Sequence, residues 1–170
     1  MIDGDRTLQS VGQPISGRRM AIARRTARLN AVQALYQMEI TGQGLDYILD
    51  NFTHDASLGD ETEVAVECDR ALFQTLVSAA IERQTQTDHM TAAVLRRDWT
   101  LAGINPILRA IFRTAGAELQ SPEREPRIVI RDYLDIASAF FPKGREVGLV
   151  NGILDTMAKR IRPDAFASPT

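Results

Sequence analysis

Between its prolines and glycines this chain repeats apolar residues at steps of three and four and never alternates them strictly, so only helices can gather them on one face. Asn105-Pro106 is a helix start, with Asn as the cap and Pro at the first position. Ile107, Leu108, Ile111, Phe112, Ala115 and Leu119 follow in step. Pro126 opens a second such helix, which carries Val129, Ile130, Tyr133, Leu134, Ala137 and Phe140 and ends at Pro142 and Gly144. Val147, Val150, Leu154, Met157 and Ile161 keep the period in the last one until Pro163. Upstream, a helix over 20–41 buries Ala27, Ala31, Ala34, Leu35 and Met38 and stops at Gly42 and Gly44. A short helix with Leu45, Ile48, Leu49 and Phe52 comes next, closed by a polar loop over 53–60. From 61 to 97 no Pro or Gly occurs, and Val64, Cys68, Ala71, Leu72, Leu76, Ala79 and Ala80 predict one long helix, broken near Thr87.

The sum is an all-α single domain, a bundle of six or seven helices. At 170 residues and 44% hydrophobic content the chain supports one well-cored domain. Residues 1–19 read as a disordered N-terminal arm, 20–162 as the helical body and 163–170 as a flexible tail. No run of 18 apolar residues and no signal-peptide pattern occurs, which predicts a cytoplasmic protein that does not enter a membrane. The lone Cys68 reads as a small buried hydrophobe, and Trp99, in a connection, as a large buried anchor.

Catalysis needs convergent groups, and the chain offers few. His54 and His89 lie in polar segments without metal-ligand spacing and read as surface histidines. Asp132 with Asp135 reads as the solvated side of a helix. Phosphate-binding glycine loops and the nucleophile-elbow motif are missing from the sequence. The expectation is a protein that is not an enzyme, with no metal and no cofactor.

What remains is a local positive field. The segment RRMAIARRTARLNAVQALY sets Arg18, Arg19, Arg24, Arg25 and Arg28 at the start of the first helix, the end where the macrodipole disfavours cations. Residues 6–38 contain no acid and carry six arginines in a chain of net charge −2. Charge alone divides evenly between a solvated face and a phosphate site. Helical geometry adds that Arg25 and Arg28 are one turn apart and that Tyr36 lies along the face of Arg25. Arginine forks beside an exposed aromatic suit single-stranded RNA, with guanidinium on phosphate and the ring under a base. On this reading, removing Arg25 or Arg28 lowers RNA affinity and spares the fold.

The ordered segments ARRTARLNAVQALYQME, ILRAIFRTAGAEL, PRIVIRDYLDIASAFF and LVNGILD resemble the NusB family of bacterial transcription antitermination factors, over roughly residues 24–163. The resemblance implies two helical subdomains that bind the boxA element of nascent ribosomal RNA leaders. It implies as partner NusE, a small-subunit ribosomal protein, within an antitermination complex on RNA polymerase. The family's arginine-rich RNA-binding helix maps onto Arg24, Arg25 and Arg28, with Tyr36 closing the motif. Arg113 and Asn151 also match, and Asn151 reads as a structural helix residue rather than an RNA contact. Where many members have an acidic loop and a Lys-Phe pair, this chain has PKGREVGL, which puts Arg145, Gly148 and Leu149 there and leaves Phe140 and Phe141 nearby. Arg113, Phe141, Arg145 and Asn151 are therefore candidate RNA or partner contacts, and the partner surface is expected over 105–141. Two alternatives stand. One is the RNA-binding module of a ribosomal RNA cytosine methyltransferase, against which the length of the chain speaks. The other is a self-associating helical module, such as a homodimer, that covers the basic helix.

Overall fold

Helices start where a side chain can accept from their unpaired first-turn N–H groups. Three such caps set the frame. In the computed structural model, which describes residues 17–55 and 67–167, Asp69 Oδ1 accepts from Leu72 N at 3.0 Å, Asn105 Oδ1 from Ile107 N at 2.8 Å and Glu125 Oε2 from Ile128 N at 3.1 Å. Pro106 and Pro126 then occupy first-turn positions, where a missing N–H costs nothing. The described residues form α1 (Gly17–Thr41), α2 (Leu45–Asp55), α3 (Arg70–Glu82), α4 (Gln84–Val94), α5 (Pro106–Leu119), α6 (Pro126–Phe140) and α7 (Glu146–Ile161). Short 3-10 turns at Leu101–Gly103 and Pro163–Phe166 complete them, and no strand occurs among the described residues.

The core is built around α5. From Leu108 to Leu119 every residue is buried except Arg113, because α1 and α3 pack on one side of it and α4, α6 and α7 on the other. These two groups sharing α5 are the two helical layers of the bundle. Gly116 is the point of closest approach. A Cβ there would lie 2.5 Å from Thr87 Cγ2 and 3.0 Å from Met157 Sδ, so only glycine lets α4 and α7 meet on α5. At the end of α1, Gly42 takes the left-handed conformation (φ 69°), and its N–H caps Met38 O at 2.9 Å.

Several expectations need correction. Helix α1 begins at Gly17, so the arm does not reach 19; residues 1–16 lie outside the described residues. The single helix expected over 61–97 is two. Asp69 caps α3 at Arg70, and the break falls at Arg83, four residues before Thr87. At the break Arg83 Nη1 donates to Ala117 O at 3.2 Å, and in the following helix Thr87 packs against Gly116. Val64 lies outside the described residues, as does the side chain of His54; His89 is exposed, as read. Helix α2 runs to Asp55, three residues into the expected loop.

In the expected tail, Phe166 packs on the helical body: Arg127 and Lys159 lie over its ring at 5.3 and 5.9 Å, and Arg162 just before it donates to Ser121 O at 2.9 Å. Residues 168–170 are outside the described set. Trp99 is not buried: it is 43% exposed, because the connection runs over the surface and its floor is taken by Ile104 and Leu108. Cys68 is half-buried, with Asn30 Nδ2 donating to Sγ at 3.6 Å, and burial pushes its thiol pKa up.

Candidate nucleic-acid interface

Helix α1 turns one face outward, and its residues recur at helical steps: Arg18, Ile22, Arg25, Gln33, Tyr36 and Ile40 are all exposed. The opposite face, Ala27, Ala31, Ala34 and Leu35, is buried. Tyr36 is 37% exposed and stands about 16 Å along the axis from Arg25. Among the described residues Arg18 and Arg25 have no acidic partner. Arg19 pairs with Glu67, and Arg24 Nε lies 4.0 Å from Asp69 Oδ2, both on the surface. Surface pairs of that kind hold little free energy and give way to a competing phosphate.

Packing of α1 against α6 adds what the linear sequence hides. The two helices wall a groove of about 420 Å³ in which Arg18 and Arg25 face Arg131, with Ile22 and Ile128 exposed between them. Arg131 is exposed, and among the described residues its one acidic partner is the adjacent Asp132 at 3.6 Å. Cations on both walls of one groove, with apolar surface between, suit a chain of phosphates carrying flat bases. Asp132 and Asp135 line the same groove and temper its field.

Arg28 lies at the floor of this groove but offers it almost no surface. It is 2% exposed, and it follows the steps of Ala31, Val32 and Leu35 into the core. Its Nε donates to both Glu118 carboxylate oxygens at 3.1 and 2.9 Å, and its Nη2 to Oε1 at 2.6 Å. Tyr133 Oη donates to Glu118 Oε2 at 3.0 Å, and Arg28 Nη1 lies 3.6 Å from Asp132 Oδ2. Burial works against the guanidinium charge, but the Glu118 hydrogen bonds and charge outweigh it, and the Arg28 pKa is raised. Burial and the Glu118 carboxylate likewise push the Tyr133 phenol well above its ordinary value, so it stays a donor. The expectation that Arg28 offers its guanidinium to RNA is therefore corrected: the group is consumed by an internal ion cluster joining α1, α5 and α6. Asp132 is corrected with it, since it bonds Arg124 Nη2 at 2.9 Å and is not a solvated partner of Asp135.

Arg113 is also committed inward. It grips Asp88 with two bonds of 2.9 Å and donates to Glu39 Oε2 at 3.1 Å, tying α5 to α4 and α1. Beside it Arg109, which the sequence did not single out, pairs with Glu39 and donates to Leu101 O, Ala102 O and Ile104 O at 2.9, 3.1 and 2.6 Å. These arginines hold the Glu39 carboxyl below its ordinary value, the Arg109 hydrogen bond foremost, against the opposing effect of burial. Phe141 caps α6 and is partly buried on the core. Asn151 is exposed on α7, near Arg127 and Lys159, and so is a surface residue rather than a structural one. Arg145 is exposed just before α7 and rims a different cavity at the α5 N-terminus, away from the α1–α6 groove. The structure thus brings Arg18, Arg25 and Tyr36 onto one helix face, sets Arg131 across the groove from them, turns Arg19 and Arg24 toward Glu67 and Asp69 on neighbouring faces of α1, and separates Arg113, Phe141, Arg145 and Asn151 from them.

Residues 25–159 match the model of the NusB family. Among curated relatives, the transcription antitermination protein NusB of Rhodopseudomonas palustris (strain BisB18) is 38% identical over 170 residues, covering 98% of this chain and 99% of the relative. That of Maricaulis maris (strain MCS10) is 41% identical over 145 residues, covering 84% and 90%. Among solved structures, T. maritima NusB superposes with a TM-score of 0.67 at 24% identity, over 84% of this chain and 96% of that one. A crystal structure of antitermination factors NusB and NusE in complex with dsRNA gives 0.67 at 19% identity, over 85% and 99%. The two structures establish the helical fold, and the family match with full-length relatives establishes descent: the chain belongs to the NusB family.

Proposed function

We propose that this protein is a transcription antitermination factor that binds single-stranded boxA-type RNA on the α1–α6 groove and acts with NusE in an antitermination complex on RNA polymerase. The observation that carries the reading is the pair of exposed arginines Arg18 and Arg25, without an acidic partner among the described residues, on the face that also presents Tyr36 and opposite Arg131. Phosphates neutralised there release counterions, and Tyr36 supplies a stacking surface for an unstacked base. Arg19 and Arg24 join by exchanging Glu67 and Asp69 for phosphate. The protein works by binding and orientation, without catalysis. No described helix is long and apolar enough to cross a membrane, which fits a cytoplasmic factor.

NusE supports the reading from the side of the relatives: a solved structure of NusB with NusE and RNA has this fold. One groove with one exposed tyrosine is a small site, and joining it to a second RNA surface raises affinity through effective concentration. Titration of boxA-type and scrambled RNA with and without NusE tests this. Better discrimination in the complex is expected; equal affinity and discrimination in both states overturns the composite site. A second reading, self-association, is favoured by the exposed Ile22 and Ile128 in the same groove. A concentration-dependent dimer that dissociates on adding RNA identifies it.

A further inference from the structure

Arg18, Ile22 and Arg25 follow steps of four and three along the α1 wall of the groove, and Ile128, Arg131 and Asp135 follow steps of three and four along the α6 wall. The first wall reads cation, apolar, cation, whereas the second ends on an acid. A carboxylate there repels every phosphate that the groove draws in, so a purely electrostatic site would bind RNA better without it. Its neighbour Asp132 is spent on the protein: Oδ2 bonds Arg124 Nη2 at 2.9 Å and lies 3.6 Å from Arg28 Nη1, and Oδ1 lies 3.6 Å from Arg131 Nη2. Asp135 differs. It is exposed, and among the described residues it makes no ion pair and no hydrogen bond, although Arg18, Arg25 and Arg131 line the same groove.

We propose that Asp135 reads one base of the RNA bound in the groove, and that the base is guanine. Exposed Ile22 and Ile128 give the ring an apolar bed, the arginines of both walls hold the flanking phosphates, and the Asp135 carboxylate accepts from the base edge. The base identity follows from the acceptor. An ionised carboxylate only accepts. Guanine sets two N–H donors, N1 and N2, side by side on its pairing edge, one for each carboxylate oxygen. Adenine and cytosine place a ring-nitrogen acceptor beside their single amino group, and uracil flanks N3–H with two carbonyls. Phosphate contacts are the same for all four, so discrimination has to come from a group that meets the base edge. The inference rests on the RNA-binding reading above and names the base that the groove selects.

Anisotropy of fluorescein-labelled 12-mer oligouridylates with one central G, A or C, titrated with the full-length protein, tests it. The uridine background lets the variable base find the site in any register. The G RNA should bind most tightly, by about 5- to 150-fold, the range of one bidentate base contact. Asp135→Ala should then act in opposite directions: the A and C RNAs bind more tightly, because a repelling charge is gone, and the guanine advantage disappears. Asp135→Asn, which keeps one accepting oxygen, should retain part of it. Inosine in place of guanine keeps N1–H and lacks the N2 amino group, so it should lose affinity for the parent and none for Asp135→Ala. Equal tightening of all the RNAs by Asp135→Ala overturns the proposal and leaves Asp135 as a counter-charge. A parent that binds the G, A and C RNAs alike also overturns it, and leaves the groove as a phosphate site. Failure of every RNA to bind defeats the RNA-binding reading itself.

Discussion

Replacing Arg28 by alanine separates the two roles that the arginine helix combines. The side chain is 3% exposed and makes three hydrogen bonds to a Glu118 side chain that is itself 3% exposed. Alanine leaves that carboxylate in the core with Tyr133 Oη at 3.0 Å and Arg124 Nε at 3.5 Å as its remaining partners. Breaking a buried pair by deleting one member costs about 3–5 kcal/mol, because the surviving charge stays desolvated. At about 2–4 °C per kcal/mol for a chain of this size, the midpoint should fall by roughly 6–20 °C. Arg25→Ala should unfold within about 2 °C of the parent, since it removes an exposed cation from the unfavourable end of the helix dipole. Thermal unfolding followed by far-ultraviolet circular dichroism measures both. Removing both charges together, as Arg28→Met with Glu118→Leu, should recover much of the loss. An Arg28→Ala midpoint within 2 °C or so of the parent refutes the ion cluster as a structural element.

Gly116→Ala should destabilise by about 1–3 kcal/mol by denaturant unfolding, because the clash with Thr87 and Met157 outweighs the gain in helix propensity; a more stable variant contradicts the close approach. Tyr36→Ala should lose about 1–3 kcal/mol of RNA binding and Tyr36→Phe little, since the ring and not the hydroxyl carries the contact; equal losses point to a phenol hydrogen bond. The Glu39 carboxyl is held below its ordinary 4.5, so its share of stability is complete above that pH and is lost as pH falls through the folded-state value. Glu39→Gln should therefore flatten the acid limb of the stability profile, and an unchanged limb excludes Glu39 as its source.

Much of the fold was legible because local chemistry sets it. Asn105-Pro106, Pro126 and Gly42 mark helix ends through capping and φ, which depend on neighbours in sequence alone. The break at Arg83 carried no such mark: the residue bonds Ala117 O, from another helix, a contact that local sequence does not announce. The outward face of α1 was legible as well, since Arg18, Arg25 and Tyr36 share one phase of the helix. Arg28 was misread although a signal existed. It keeps the steps of Ala31, Val32 and Leu35, and Glu118 likewise stands among buried alanines and leucines of α5. An arginine in one apolar stripe and a glutamate in another call for each other, because neither is buried without a partner. Arg131 and the Trp99 cavity were not legible, since both arise where helices distant in sequence pack together.

The central claim is that the exposed arginines of the α1–α6 groove hold RNA by neutralising phosphates. The log–log salt dependence of binding a single-stranded boxA-type RNA measures this most directly. With three to five contacts at about −0.7 each, the slope should lie near −2 to −3.5, and the Arg18→Ala, Arg25→Ala double variant should be shallower by roughly 1.4. A slope near zero, or one that the double variant leaves unchanged, contradicts the account.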